Sequence, residues 1–166
     1  MIKPETNKTE IITGLGELLR KGGIYYSVPG NNVRDALESC ISKIQLPDSI
    51  AAKTLLDAVL EREMLMSTSL GNGIAIPHPR NPLIVNPENQ FCALAFLDNP
   101  VDWKSLDGNA VDTIFMIVSS SAKFHLHTLS IISYLCTQDS FIRHLRERSS
   151  EQILIQYINE TENKWK

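Results

Sequence analysis

The sequence predicts a single α/β domain in which helices cover both faces of a β-sheet. Its length of 166 residues corresponds to about one domain, since domains average roughly 150 residues. Hydrophobic residues make up 43% and charged residues 21% of the chain, which is typical of a globular protein that needs no disulfide or metal to fold. Helical patterns at both ends enclose short, continuous apolar runs, and such runs are typical of strands buried on both faces.

The first part of the chain is mainly helical in pattern. The predicted elements are a helix over residues 11–21, a strand over 24–28, and helices over 33–44 and 50–64. Gly22 and Gly23 are expected to end the first helix, because glycine readily adopts the left-handed conformation that closes helices. The segment Pro47-Asp48-Ser49 is expected to end the second helix and to cap the third.

Short apolar runs and three further helical patterns follow. The predicted strands cover residues 74–76, 91–97 and 114–118, and the predicted helices cover about 123–137, 140–147 and 151–160. Asp107-Gly108 marks a turn between the last two strands. Ser149 and Gln152 have the spacing of a capping box and are expected to begin the last helix.

Charge and apolar patterning argue against several protein classes. The formal net charge is −3, and without a basic run the chain is not expected to bind nucleic acid or an anionic membrane. No apolar stretch approaches the roughly 18 residues of a membrane-spanning helix. Residues 1–10 are polar and lack the apolar centre of a signal peptide. They are expected to form a flexible segment before a single domain over residues 11–166.

Three cysteines, Cys40, Cys92 and Cys136, lie far apart in apolar sequence. An odd number at such spacing does not suggest a disulfide framework, and it favours buried, reduced thiols in a cytoplasmic protein. A catalytic cysteine is the alternative interpretation.

His78 stands between Pro77 and Pro79, directly after a predicted strand. Pro77 fixes its own φ and Pro79 keeps His78 out of the helical region, so a stiff, extended backbone carries the imidazole. Open α/β sheets bind ligands at strand ends, and histidine titrates near neutral pH. His78 is therefore a candidate functional residue; the alternative is a histidine in a rigid structural loop.

The other histidines show no metal-binding pattern. His125 and His127 are two residues apart, so about 200° of helical rotation separates them. His125 shares a helix face with Leu129 and Ile132, which makes it either a core residue or part of a buried site. His144 lies among arginines and is expected to be solvated. Spacings such as HExxH or CxxC do not occur, so the sequence predicts no metal and no cofactor.

Arg62 continues the apolar stripe of Leu55 and Val59 at helical spacing. It either compensates the helix C-terminus or binds an anion beside the strand ends. The Gly71-Asn72-Gly73 loop lacks the pattern of a nucleotide-binding loop, and Ser119-Ser120-Ser121 lacks the G-x-S-x-G elbow of serine hydrolases.

Two segments of the chain are similar to the signatures of one protein family. They are residues 62–78 (REMLMSTSLGNGIAIPH) and residues 125–130 (HLHTLS). Both closely resemble enzyme IIA domains of the phosphoenolpyruvate-dependent phosphotransferase system, in the fructose–mannitol and nitrogen-regulatory class. The similarity extends loosely from Ile11 to Tyr157, and it implies a single-domain α/β sandwich with a mixed sheet between helices.

The resemblance also implies a phosphotransferase component in which His78 carries a phosphoryl group. The donor would be a histidine of the phosphocarrier protein HPr or of a paralogue. Arg62 and His125 would flank His78, whereas His127 does not match the family position. This agrees with the chemistry of the residues: a neutral imidazole, with a pKa of about 6.5, is nucleophilic without a partner base. An arginine and a second histidine suit the phosphoryl oxygens, and no metal is required.

The sequence departs from the family at several positions. Many members have glycine where this chain has Pro79, and Met66 and Ser69 replace glycines that are common in the loop. The His-Pro-Arg form, with Arg80, resembles standalone or regulator-linked domains, and no fused enzyme IIB or IIC segment is recognised. We therefore expect regulation of a partner protein rather than dedicated fructose- or mannitol-type transport through an enzyme IIB. A degenerate IIA-like module that is no longer phosphorylated is the remaining alternative.

Overall fold

A computed structural model describes residues 12–165 of the chain. These residues form six α-helices and one five-stranded sheet. The helices are α1 (Leu15–Gly22), α2 (Val33–Lys43), α3 (Ala52–Leu65), α4 (Ala122–Leu135), α5 (Asp139–Arg146) and α6 (Glu151–Trp165). The strands are β1 (Ile24–Val28), β2 (Ser69–Gly71), β3 (Ile74–Ala75), β4 (Phe91–Val101) and β5 (Val111–Val118), and a short 3₁₀ turn covers Pro87–Asn89.

The sheet has the strand order β1-β4-β5-β3-β2 and is mixed. β1 runs parallel to β4 and β3 runs parallel to β5, whereas β4 and β5 are antiparallel, as are β2 and β3. The central strands β4 and β5 are almost entirely buried along their apolar runs. This is the burial that a continuous apolar run predicts for a strand with both faces covered.

Helices pack on both faces of the sheet, so two apolar layers enclose it. The first layer joins α2 and α3 to one sheet face through Leu37, Cys40, Leu55, Val59, Ala75, Met116 and Val118. The second layer joins α1, α4, α5 and α6 to the other face through Leu19, Ile74, Ile76, Phe115, Ile117, Ile132, Phe141 and Leu154. This architecture confirms the predicted fold class. The predicted domain boundary at residue 11 and the segment over residues 1–10 lie outside the described residues.

Each predicted helix and strand is present, with ends that differ by up to several residues. The first helix begins at Leu15, so residues 12–14, which were predicted to be helical, precede it; the predicted start at residue 11 lies outside the described residues. Gly23, with φ +93°, donates its N–H to the Leu19 carbonyl. The strand that was predicted over residues 91–97 continues to Val101. The sequence did not predict β2, since three residues are too few to show an alternating pattern.

Two predicted helix caps were wrong. Ala51, and not Asp48 or Ser49, is the N-cap residue of α3, and it makes no side-chain cap. The last helix is preceded by Ser150, whose Oγ accepts the Ile153 N–H at 3.4 Å. Ser149 does not cap this helix, because its Oγ hydrogen-bonds instead with His144 Nδ1 at 3.0 Å.

His144 is accordingly half-buried and partnered, not solvated as predicted. Its ring also meets the ring of Tyr157 edge-on, at a centroid distance of 5.4 Å. Among residues 12–165, no helix is both long enough and apolar enough to cross a membrane.

Candidate functional site

The backbone that carries His78 is an extension of β3, held on both sides. Ile76 donates its N–H to the Thr68 carbonyl, and the Pro77 carbonyl accepts the Ile117 N–H, both at 3.1 Å. A turn at Gly71-Asn72-Gly73, with positive φ at all three residues, returns the chain from β2 into β3. These bonds and the two flanking prolines fix His78 at the carboxyl end of β3, between β2 and β5.

The His78 side chain is only 8% exposed, and one hydrogen bond sets its tautomer. Nδ1 lies 2.7 Å from the Ile76 carbonyl oxygen. A carbonyl oxygen only accepts, so Nδ1 carries the proton and donates it. The neutral ring then has its free electron pair on Nε2, the nitrogen opposite the backbone bond.

His125 lies directly against His78. The two ring centroids are 4.5 Å apart and the ring planes are inclined by 49°. His125 belongs to the first turn of α4, where Ser121 is the N-cap and its Oγ accepts the Phe124 N–H at 3.3 Å. It stands at the margin of the core face of this helix, whose buried residues are Phe124, Thr128, Ile131, Ile132 and Leu135. The buried stripe of α4 is therefore shifted by one residue from the predicted stripe, which included Leu129. Leu129 is only half-buried.

His127 lies on a different side of α4 and does not reach this site. Its ring packs near Trp165 of the last helix, at a centroid distance of 5.9 Å. The structure thus brings His125, and not His127, to His78, as the difference in helical phase requires.

Arg62 reaches the site from the opposite layer. It lies in the last turn of α3, and its Nη1 donates to the Met66 carbonyl at 2.8 Å. This bond compensates the C-terminal end of the helix, the first of the two roles considered for Arg62. The guanidinium also lies near enough to His78 and His125 for its charge to lower the pKa of both imidazoles.

Both imidazoles are held in the neutral form at pH 7. Burial is the main cause that lowers the pKa of His78; the Arg62 charge acts in the same direction, while the Ile76 hydrogen bond and Glu63 oppose it. Burial, His78 and Arg62 together lower the pKa of His125 to about 4. A site that disfavours positive charge on its own histidines keeps both rings uncharged until an anion arrives.

Glu63 anchors the loop between Arg62 and β2. Its carboxylate accepts three hydrogen bonds of 2.7 Å, from the Thr68 N–H, the Thr68 hydroxyl and the Trp103 indole N–H. The Thr68 carbonyl in turn holds Ile76, two residues before His78. A single carboxylate therefore fixes the loop and, through it, the backbone of the candidate nucleophile.

Sequence reasoning did not identify Glu63, although one signal was available. An acidic residue in the last turn of a helix opposes the helix dipole, so its presence at that position calls for a specific partner. Trp103 could not be assigned to this cluster, because it is forty residues away along the chain.

The described residues show no other reactive centre. Cys40 and Cys92 are buried and Cys136 is half-buried, and burial raises the pKa of the Cys40 and Cys136 thiols to about 12. Such thiols stay protonated, which argues against the catalytic-cysteine alternative. No group of three or more His, Cys, Asp or Glu side chains within residues 12–165 is arranged to hold a metal ion.

The sequence and fold match a family of phosphotransfer proteins. The family model described as phosphoenolpyruvate-dependent sugar phosphotransferase system, EIIA 2, matches residues 17–161. The chain belongs to this family. Enzyme IIA domains are phosphotransfer components, so a general phosphotransferase role follows from membership.

Relatives within the family include regulatory and transport proteins. The nitrogen regulatory protein of Pseudomonas aeruginosa is 31% identical over 153 residues, which cover 90% of this chain and 97% of that protein. The fructose-specific EIIABC component of Bacillus subtilis is 35% identical over 152 residues, which cover 87% of this chain but 23% of that protein. The chain therefore spans about a quarter of the length of this second relative.

A solved structure of the family has the same fold. The crystal structure of nitrogen regulatory protein IIA-Ntr from Neisseria meningitidis superposes with a TM-score of 0.74 and 26% sequence identity. The match covers 86% of this chain and 97% of the Neisseria chain. This agreement confirms the mixed α/β fold that the family signatures implied.

Proposed function

We propose that His78 is the phosphoryl acceptor of this enzyme IIA and that Nε2 is the reacting atom. The observation that carries the proposal is the hydrogen bond from Nδ1 to the Ile76 carbonyl, which leaves Nε2 as the nucleophilic nitrogen. In the transfer, a P–N bond to His78 Nε2 forms as the P–N bond to the donor histidine breaks. The electron pair of the broken bond stays on the donor nitrogen.

Arg62 and His125 support this transfer without being modified. Phosphoryl transfer depends mainly on positioning and on charge stabilisation. The Arg62 guanidinium can form paired, charge-assisted hydrogen bonds with phosphoryl oxygens. His125 is neutral before transfer, and the arriving negative charge favours its protonated form, which adds a second donor.

A histidine phosphocarrier of the HPr type is the proposed donor, and exposed apolar residues that follow Arg62 and His125 in the chain suit docking of such a protein. Met64, Leu65 and Met66 are 86%, 61% and 71% exposed at the end of α3, and Leu126 is 62% exposed beside His125. We name these four residues the apolar rim. Large exposed apolar side chains next to residues of a buried reactive site favour a protein partner, since they lose contact with water when a partner docks.

The phosphoryl group would then act as a regulatory signal or pass to an enzyme IIB. The similarity to a nitrogen regulatory protein over almost its full length favours regulation. The similarity to a fructose-specific EIIABC component keeps sugar transport as the second candidate. In either case, His78 and its donor would meet in the cytoplasm.

Phosphorylation of the purified chain tests the proposal directly. The chain is incubated with phosphoenolpyruvate, enzyme I and HPr, and the label is mapped to a residue and tested for stability in acid and base. We expect one label on His78 that is lost in acid and retained in base, as for a P–N bond. His78→Ala should remain folded and accept none. Equal labelling of His78→Ala and the parent would refute the assignment, and an unlabelled, folded parent would identify the degenerate alternative.

A further inference from the structure

A small cavity lies beside His125, between the segment that follows His78 and the beginning of α4. Its volume is about 170 Å³, and its lining includes Pro79, Arg80, Ser119, Ala122 and His125. This volume is several times the roughly 30 Å³ that one water molecule takes in the liquid. The cavity is therefore large enough for a small polyatomic anion.

Ser119 gives the cavity a polar wall, and its hydroxyl is not used by any other described residue. The residue is 9% exposed, and within residues 12–165 its hydroxyl makes no hydrogen bond. Every fully enclosed polar side-chain atom of these residues has a hydrogen-bond partner. The unpartnered Ser119 hydroxyl is therefore accessible from the cavity that it lines. A hydroxyl on a residue nine-tenths buried, without a partner among the described residues and open to the cavity, is free to donate a hydrogen bond to a group bound there.

The position of Ser119 follows from the sheet. It comes directly after β5, and side chains alternate between the two faces along a strand. Phe115 and Ile117 belong to the layer that contains α4, so Ser119 points to that same face. Gln90 holds the next residue in place, because its Oε1 accepts both the N–H and the hydroxyl of Ser120 at 2.9 and 3.1 Å.

Two further features favour an anion in this cavity. Ala122, the first residue of the 14-residue helix α4, lines it, and helix N-termini carry partial positive charge. Arg80 also lines the cavity and supplies a full positive charge from an exposed side chain.

We propose that Ser119, Arg80 and the N-terminus of α4 form an oxyanion subsite that takes a phosphate group next to the His78–His125 pair. The phosphate comes either from free inorganic phosphate or from the phosphoryl group carried by His78. Only the second source rests on the proposed function. In both cases the Ser119 hydroxyl donates a hydrogen bond to a phosphate oxygen.

Titration with inorganic phosphate, at constant ionic strength, tests the first source in the unmodified chain. Backbone amide resonances of Ser119 and Ala122 report binding. Ser119→Ala should weaken phosphate binding roughly 10- to 100-fold, the effect of one hydrogen bond to a charged group. Ser133→Ala changes an exposed serine of α4 that does not line the cavity; it is the control and should bind like the parent. His78→Ala should also bind.

The equilibrium of transfer from phosphorylated HPr tests the second source. If the subsite holds the phosphoryl group, Ser119→Ala should lower the equilibrium constant by a similar factor while Ser133→Ala leaves it unchanged. If Ser119→Ala has an effect in only one of the two experiments, that experiment identifies the source of the phosphate. The subsite is overturned if Ser119→Ala behaves like the parent in both experiments. It is also overturned if the parent chain neither binds phosphate nor accepts a phosphoryl group. If the parent is not phosphorylated but binds phosphate through Ser119, the proposed function fails and the subsite stands.

Discussion

The rings of His78 and His125 lie with their centroids 4.5 Å apart, although the two residues come from different secondary-structure elements. His78 follows β3, and His125 belongs to the first turn of α4. The short distance matters because two charged imidazoles would repel each other at this separation, and burial adds to that cost. The pair therefore stays neutral, with one ring able to act as nucleophile and the other able to accept a proton when negative charge arrives.

Loss of either flanking residue should slow phosphoryl transfer to His78. We expect Arg62→Gln and His125→Asn each to reduce the transfer rate roughly tenfold to a thousandfold, since each removes a donor to the phosphoryl oxygens. Rapid-quench measurement of labelling from phosphorylated HPr gives the rates. His127→Asn is the matched control, because His127 packs near Trp165 away from the site. Equal loss in the His125 and His127 variants would contradict the proposed arrangement.

The neutral histidine pair should make the folded state sensitive to acid. Histidine in the unfolded chain has a pKa of about 6.5, whereas the folded state lowers the pKa of His78 and holds that of His125 at about 4. Between these values the unfolded chain binds more protons, so the free energy of unfolding falls as the pH drops from about 6.5 towards 4.

Urea unfolding at a series of pH values checks this dependence. His125→Gln should show a smaller loss of stability between pH 6.5 and 4.5 than the parent does. Above pH 7.5 the free energy of unfolding should depend on pH in the same way in both proteins, because the histidine pair is uncharged in both folded and unfolded chains. An identical acid dependence in parent and variant would mean that His125 is not held neutral by the fold.

How far the site could be predicted depended on whether its signal was local in sequence. The stiff backbone of His78 follows from the prolines on each side, and the opposite placement of His125 and His127 follows from helical phase. The approach of Arg62 to His125 does not, because α3 and α4 pack on opposite faces of the sheet. The Glu63–Trp103 bond likewise joins residues forty positions apart, and no local pattern contains it.

The fold shows the same division. Continuous apolar runs indicated the buried strands β4 and β5, but their order in the sheet depends on pairings between distant segments. Caps were the least predictable feature, since Ser149 and Ser150 have the same chemistry and are adjacent. The hydrogen bond between Ser149 and His144 decides between them, and it depends on how α5 ends.

Glu63→Gln should destabilise the protein and slow transfer together. The carboxylate accepts three hydrogen bonds, and a glutamine side chain has one oxygen and an NH₂ group that faces the same donors. At least one donor is left without a partner, which costs about 1–3 kcal/mol. Urea unfolding should show this loss, and labelling of the remaining folded protein should be slower because the loop before His78 is less fixed.

A control for Glu63→Gln comes from the exposed neighbour Glu61, which lies on the same helix. Glu61→Gln should leave both the stability and the rate close to those of the parent. If Glu63→Gln lowers stability without slowing transfer, then the anchored loop supports the fold and does not position His78.

Charge placed in the apolar rim should weaken docking of the phosphocarrier and leave the chemistry intact. Met66 is 71% exposed at the end of α3, so Met66→Glu should not disturb the core. Met64 and Met66 also line an apolar groove of about 900 Å³ that reaches Trp103, which extends the surface open to a partner. We expect the KM for phosphorylated HPr to rise about tenfold, the equivalent of ~1.4 kcal/mol of lost contact, with kcat little changed.

Val85→Glu, on an exposed apolar residue outside the rim, should behave like the parent. A fall in kcat with an unchanged KM would show instead that Met66 acts on the transfer step, and an unchanged reaction would place the carrier on another surface.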